Sequence, residues 1–163
     1  MKINKQSSRA LDRIDRAILS VLQQQGRISN VDLSQRVHLS PSPCLERVRR
    51  LEADGYIEGY SAILNAQFLG LSKVAFIQVT LDHTTEDVFD KFKVAVAESP
   101  HIVECHMVAG GFDYFIKVRF DDMDNYRQVL EQVVKLPHVS QTHTYVVIEE
   151  VKSEQGIPLA LLE

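Results

Sequence analysis

The segment Ser40-Pro41-Ser42-Pro43-Cys44-Leu45-Glu46-Arg47-Val48-Arg49-Arg50-Leu51-Glu52 decides how the first third of the chain folds. A hydroxyl residue followed by proline is typical of a helix start, because the first turn leaves backbone N–H groups unpaired and proline has none. At about 100° per residue, Cys44, Val48 and Leu51 share one apolar stripe, with Leu45 on its flank. The pattern predicts an amphipathic helix that ends near Gly55.

The opposite face of this helix is polar. It carries Ser42, Glu46, Arg49 and Arg50, with Arg47 at the margin. Such a face suits the major groove of DNA, where arginine pairs with guanine and glutamate accepts a hydrogen bond from cytosine. For a single helix, an arginine-rich face that is merely solvated is the alternative. The candidate DNA-contacting residues are Ser40, Ser42, Glu46, Arg47, Arg49 and Arg50.

Two short helices are predicted before this one. The first begins at the capping residue Asp12 and stops at Gly26, and the second begins at Ser29. Acidic residues three positions after each cap favour both starts. The second helix is expected to bury the apolar residues Val31, Leu33 and Val37. Three short helices with the basic one last favour a helix-turn-helix domain that binds double-stranded DNA over a solvated face.

The residues after Gly55 are β-prone as far as Leu64. They predict a small strand beside the helices, or the stub of a wing. Asn65 to Leu71 is expected to be a hinge. The predicted organisation is a DNA-binding domain at 1–64, a linker at 65–71, a regulatory domain at 72–151 and a C-terminal tail at 152–163.

From Lys73 onward, strand and helix patterns alternate. Strands are predicted at 74–81, 102–108, 113–120 and 142–151, and helices at 87–98 and 124–136. Gly110-Gly111 is expected to form a tight hairpin turn with positive φ. The two halves resemble each other, since Pro100-His101-Ile102 is echoed by Pro137-His138-Val139. This β-α-β-β-α-β order predicts an α+β, ferredoxin-like domain.

The first strand of that domain is apolar on both faces. Val74 and Phe76 lie on one face, and the other face carries Ala75, Ile77, Val79 and Leu81. The predicted helices cover only one face, so the other needs a second layer. We expect another subunit to supply it, which makes the chain at least a homodimer.

Charge and composition limit the classes of protein. Residues 1–60 carry ten Lys/Arg against seven Asp/Glu, whereas the remainder carries eight against fifteen. A basic head on an acidic body indicates that only the head meets a polyanion. No apolar run approaches the roughly 20 residues of a membrane span, and the polar N-terminus lacks signal-peptide character, so we expect a cytoplasmic protein without membrane contact. Two separated cysteines indicate neither a disulfide nor a zinc cluster.

Several motifs together resemble the leucine-responsive regulatory protein (Lrp/AsnC, or feast/famine) family of transcription regulators. They are Asp12-Arg13-Ile14-Asp15, Gly26-Arg27-Ile28-Ser29-Asn30, the whole run from Ser40 to Glu52, Gly110-Gly111-Phe112-Asp113-Tyr114, and Thr144 to Val151. The resemblance covers about residues 11–151 and is greatest to the leucine-responsive branch. It implies a DNA-binding helix-turn-helix domain, a ligand-binding domain, dimers that assemble into octamer-like rings, and an amino-acid effector.

The same resemblance implies where the effector binds. It points to the loop between the second and third strands of the regulatory domain, with two weaker candidates on the last strand. The implied residues are Met107, Val108, Gly110, Gly111 and Asp113, with Tyr145 and Val147. Glycine N–H groups can approach a carboxylate, and Asp113 can pair with an ammonium group. Ala109, where many relatives have a small hydroxyl residue, and the apolar tail after Lys152 depart from the family pattern.

Two other classes of protein are alternatives to a transcription regulator. An enzyme would need convergent titratable groups, and the candidates are His101, His106, His138 and His143. His106 and His143 are expected on strands at opposite edges of the sheet, which argues against catalysis and against a metal site. We expect no enzyme, no metal and no cofactor beyond the effector. A sequence-tolerant architectural DNA protein, which reads DNA shape, is the second alternative.

Overall fold

A computed structural model describes residues 10–153 and 156–161. These residues form two compact units, one of residues 10–63 with 156–161 and one of residues 64–153. No helix within the described ranges is long and apolar enough to cross a membrane.

The first unit contains three α-helices: α1 (Arg13–Gln24), α2 (Asn30–Arg36) and α3 (Pro41–Ala53). The predicted caps are present, since Asp12 forms a capping box with Asp15 and the Ser29 side chain accepts from Asp32 N. A tight turn joins α2 to α3, where His38 has a φ of 55° and Leu39 N donates to Ser34 O at 2.8 Å. A left-handed residue just past a helix end lets the chain reverse direction sharply.

A small core holds the three helices together. Its buried residues are Ile18, Leu33, Val37, Cys44 and Leu51. The stripe predicted on α3 is therefore confirmed for Cys44 and Leu51, and Val48 packs against the cluster. Val31 was predicted to be buried and is 53% exposed. The buried residues of this seven-residue helix are Leu33 and Ser34, and Val31 lies outside the side of the helix that they occupy.

The predicted strand after Gly55 is wrong. Residues 56–65 have no strand or helix, although Ile57 packs against the helical core. The hinge region instead turns around Asn65, whose side chain accepts from Gln67 N at 3.0 Å and Phe68 N at 3.3 Å. β-propensity without a neighbouring strand to pair with does not make a strand.

The second unit has the order β1 (Lys73–Leu81), α4 (Glu86–Glu98), β2 (Ile102–Met107), β3 (Tyr114–Phe120), α5 (Met123–Val134) and β4 (Val139–Val146). Its four strands form one sheet in the order β2-β3-β1-β4, with antiparallel pairing throughout. The predicted ferredoxin-like arrangement is confirmed. As expected, β2 and β4 are the edges.

The core of this unit lies between one face of the sheet and the two helices. Alternate residues of the central strands point into it, with Ile77 and Ile116 as a directly paired example. The helices contribute Val88, Phe92, Val129 and Val133. On the opposite face, which we call the open face, no helix packs within residues 64–153, because α4 and α5 both lie on the core side. There Phe76 and Phe115 stack at 5.3 Å, next to the paired side chains of Lys117 and Glu104.

Two features of this unit differ from the sequence expectations. The last strand was predicted at 142–151 but spans Val139–Val146, because its pairing with β1 ends where β1 begins. The connection between β2 and β3 is a six-residue loop, 108–113, rather than a tight turn. Neither Gly110 nor Gly111 has a left-handed φ, so the predicted turn type is wrong. Leu159–Leu161, in the part of the tail that belongs to the first unit, form a short 3-10 helix.

Candidate DNA-binding helix and effector loop

The α3 helix presents a polar surface to solvent. Ser40, Ser42, Glu46 and Arg49 are all exposed. Ser40 is the N-cap residue, so it and Ser42 mark the N-terminal end of the helix. The positive end of the helix dipole favours anions such as phosphate here, although Pro41 and Pro43 have no backbone N–H to donate.

Arg47 and Arg50 behave differently, because both contact α1. Arg47 Nη1 lies 2.6 Å from Asp12 Oδ2 and 2.8 Å from Asp15 Oδ1. Arg50 Nη2 lies 2.6 Å from the same Asp15 Oδ1. Asp15 is only 1% exposed, which makes it the buried anchor of the cluster. The cluster joins α3 to α1 by charge-assisted hydrogen bonds.

The electrostatics of the cluster are mutually reinforcing. The hydrogen bond from Arg47 lowers the pKa of the Asp12 carboxyl to about 2, with help from the Asp15 backbone N–H. The two carboxylates in turn raise the pKa of Arg47. Asp12 and Arg47 are therefore fully charged at neutral pH.

The helical projection was wrong about the orientation of Arg50. It was expected on the outer face, but its guanidinium reaches back to Asp15. Among the described residues, the ion pairs of α3 involve Arg47 and Arg50 and not Arg49. From the sequence, Asp12 and Asp15 were expected to cap α1, and their contacts with the arginines of α3 were not predicted. The sequence does contain a signal for these contacts. Asp12 and Asp15 are three positions apart, as are Arg47 and Arg50, and this spacing places the members of each pair on the same side of their helix.

The loop between β2 and β3 is fastened at its ends and open in its middle. Val108 N donates to Asp113 O and Asp113 N donates to Val79 O, both at 3.0 Å. The Asp113 carboxylate accepts from Leu81 N through Oδ2 at 2.7 Å. A carboxylate that fixes the end of β1 is thus a structural feature as well as a candidate ligand group.

The glycines of this loop are exposed, and a Cβ at either would meet nothing within 4 Å. No hydrogen bond to the N–H of Gly110 or Gly111 occurs among the described residues. Met107, at the end of β2, is 52% exposed. The loop therefore combines an apolar side chain, unpaired backbone donors and an acid.

The two candidates on the last strand lie elsewhere in the subunit. Tyr145 is opposite Phe76 on the open face and is 53% exposed. Val147 N donates to Val74 O at 2.9 Å. Val74 and Val79 are five positions apart on β1, about 16 Å at roughly 3.3 Å per residue. Within one chain, Val147 and the loop are not brought together.

The histidines considered for an enzyme are also separated. His106 lies on the β2 edge, 3.5 Å from Glu104, while His143 lies on the β4 edge. His138 instead approaches Asp82, which also contacts His83. This grouping of Asp82, His83 and His138 was not predicted from the sequence.

Comparison with known proteins identifies the family. Residues 11–58 match the model described as winged helix-turn-helix DNA-binding, and residues 74–157 match the Lrp/AsnC ligand binding domain. The chain is also 54% identical over 154 residues to the leucine-responsive regulatory protein of Escherichia coli (strain K12), covering 94% of each chain. It belongs to the Lrp/AsnC family. The corresponding protein of Klebsiella pneumoniae matches with the same identity and coverage.

Solved structures of Lrp/AsnC proteins have the same fold. A transcriptional regulator from Neisseria meningitidis, in complex with L-methionine, is 35% identical with a TM-score of 0.89, covering 94% of this chain and 100% of that one. An AsnC family regulator from Agrobacterium tumefaciens is 25% identical with a TM-score of 0.90 and the same coverage.

Membership of the Lrp/AsnC family decides the class of function. The chain is a transcription regulator, not an enzyme, with a helix-turn-helix unit for DNA and a ligand-binding unit for an amino acid. The fold and class predicted from the sequence are confirmed.

Proposed function

We propose that this Lrp/AsnC protein binds operator DNA in the cytoplasm through α3 and changes its DNA affinity when a leucine-like amino acid binds the loop between β2 and β3. The observation that carries the proposal is that loop, in which two unpaired glycine N–H groups lie between an exposed methionine and an acid. The name of the 54% identical relative supports leucine, and the methionine complex supports an unbranched side chain of similar size.

The proposed roles of the α3 side chains in DNA binding depend on whether each is exposed or already paired with α1. Ser42, Glu46 and Arg49 are exposed and read bases, while Ser40 binds phosphate at the helix start. Arg47 and Arg50 contribute mainly by fixing the angle of α3 against α1. Their side chains are about a quarter to a third exposed, so their outer N–H groups remain able to contact phosphate.

The proposed effector contacts use the open middle of the loop. Gly110 and Gly111 N–H groups bind the carboxylate of the amino acid, and Asp113 Oδ1 binds its ammonium group, since Oδ2 already accepts from Leu81 N. Met107 and Val108 contact the aliphatic side chain. Tyr145 and Val147 complete the pocket from a neighbouring subunit, because their own loop is too distant.

The proposed assembly is a homodimer that associates further into octamer-like rings. Phe76 and Phe115 form an apolar centre on the open face. Two such faces packed together bury apolar surface on both subunits. An effector that binds between dimers then favours one oligomeric assembly over another. The coupling free energy between effector binding and DNA binding in such a system is typically about 1–3 kcal/mol.

The test is a thermal-shift screen of the full chain against the twenty amino acids, followed by calorimetry with the best ligand. A ligand that binds only the native state raises the unfolding midpoint. We expect leucine and methionine to raise it and glutamate to leave it unchanged. DNA binding is then compared on an operator and on random DNA, with and without the ligand. Equal affinity for both DNAs would favour an architectural role, and no shift with any amino acid would exclude the proposed effector class.

A further inference from the structure

Three potential metal-ligating side chains meet outside the proposed DNA and effector sites. They are Asp82 and His83, directly after β1, and His138, directly before β4. Asp82 Oδ1 lies 3.0 Å from His83 Nδ1 and 3.1 Å from His138 Nδ1. All three ligand atoms lie within 4.8 Å of one another. Within the described residues, no other group of three such side chains is this close.

The pairing of β1 with β4 holds this cluster in place. Asp82 N donates to His138 O at 2.8 Å, and Ser140 Oγ donates to Thr80 O at 3.0 Å. His138 has a φ of 63°, a left-handed conformation that is uncommon outside glycine and is enriched at Asn, Asp and His. The backbone therefore fixes the positions of Asp82 and His138, which extend from the paired strands β1 and β4.

The spacing fits a small tetrahedral site. Metal–ligand bonds of about 2.0–2.1 Å at a tetrahedral centre place neighbouring ligand atoms about 3.3 Å apart. The Asp82–His83 and Asp82–His138 separations are within a few tenths of an ångström of that value, and the third pair, His83 and His138, lies within 4.8 Å. Asp82 and His83 are 45% and 73% exposed, so a fourth position is open to water or to an outside ligand.

We propose that Asp82, His83 and His138 bind a divalent transition-metal ion of the zinc class. Two imidazole nitrogens and one carboxylate oxygen favour Zn²⁺ or Ni²⁺ over Ca²⁺ and Mg²⁺, which prefer oxygen ligands. Three protein ligands with one open position is the ligand number of a zinc site that exchanges its fourth ligand. The site is independent of the effector proposal, because neither Asp82 nor either histidine belongs to the loop.

The test is calorimetric titration of the full-length, tag-free chain with zinc chloride, after dialysis against a chelator. We expect one ion per chain, with calcium chloride binding much more weakly. His83→Ala and His138→Asn should each weaken zinc binding at least about tenfold, since even residues that only orient ligands have effects of that size. Asparagine tolerates the left-handed backbone, so His138→Asn tests the ligand rather than the fold.

The matched control is His38→Asn. His38 is the other described non-glycine residue with positive φ, it is exposed, and it belongs to the helical unit, whereas the cluster belongs to the second unit. Its substitution should leave zinc affinity unchanged. The proposal is overturned if the wild-type chain binds no zinc, if calcium binds as tightly as zinc, or if His83→Ala binds zinc like the wild type. His83 is exposed enough that this last variant keeps the fold.

Discussion

Asp15 on α1 binds Arg50 on α3 through a contact of 2.6 Å between Oδ1 and Nη2. Because Asp15 is buried, this contact ties the orientation of the proposed recognition helix to the first helix of the domain. The arginines of one helix therefore have two roles, and substitution can separate them.

Arg49→Ala should affect DNA binding, whereas Arg50→Ala should affect the stability of the fold. Removing Arg49, which is exposed, should weaken operator binding by about 1–3 kcal/mol without changing the free energy of unfolding. Removing Arg50 leaves a buried carboxylate less well paired and should lower the unfolding free energy by about 1–3 kcal/mol. Gel-shift titration and urea unfolding measure the two effects. Equal loss of stability in both variants would contradict the division of roles.

Acid should destabilise the chain partly through Asp12. Its pKa in the folded protein is lowered to about 2 by Arg47, below its ordinary value. A depressed folded pKa contributes stability above the unfolded pKa, and that stability is lost as the pH falls from about 4 towards 2. Asp12→Asn keeps a good helix cap but removes the charge, so its unfolding midpoint should depend less on pH in this window.

The control for that experiment is Asp122→Asn. Asp122 caps α5 in the same way, through Asp124 N and Asn125 N, but it has no arginine partner among the described contacts. Because no described arginine contacts Asp122, this substitution should change the dependence on pH between 4 and 2 less than Asp12→Asn does. The same loss of dependence in both variants would assign the effect to capping rather than to the Arg47 ion pair.

Asp113 can be tested by separating its charge from its hydrogen bond. Asp113→Asn retains an oxygen acceptor for Leu81 N but removes the charge proposed to bind the ammonium group. We expect effector affinity to fall at least tenfold, about 1.4 kcal/mol, while effector-free DNA binding stays nearly intact. Calorimetry with the best-binding amino acid measures the first, and a gel shift measures the second.

Asp113→Ala removes both the charge and the acceptor. It should weaken effector binding at least as much as the asparagine variant does, and also lower the unfolding temperature, because Leu81 N loses its partner. If the asparagine variant bound the effector like the wild type, Asp113 would be purely structural.

Phe76→Asp should dissociate the proposed dimer. The change puts a carboxylate beside Phe115, in a face that the second subunit is proposed to cover, and burying an unpaired charge is unfavourable. Light scattering should show a smaller particle, or circular dichroism an unfolded domain. Val94→Asp is the control, since Val94 is 60% exposed on α4, away from that face, and its variant should keep the native size. A Phe76→Asp protein of wild-type size would exclude the open face as the interface.

The local patterns of the sequence predicted most elements of the fold. The caps at Asp12 and Ser29, the apolar stripe through Cys44 and Leu51, and the alternation along β1 all depend on residues a few positions apart. Helix and strand periodicity therefore reveals them. The boundaries that were wrong, at Tyr56–Leu64 and at the last strand, depend on whether a distant strand is available for pairing.

The sequence by itself thus determined the two-part organisation, the order of elements and the family. Only the tertiary structure decided which partner each functional side chain has. Arg47 meets an aspartate 32 positions away, Leu81 N meets the Asp113 carboxylate at the same separation, and His138 meets Asp82 across 56 positions. Periodicity describes which face of an element is buried, but not which residue of another element lies opposite. Packing of helix on helix and strand beside strand fixes those contacts, and with them the orientation of α3, the anchoring of the effector loop and the Asp82–His83–His138 cluster.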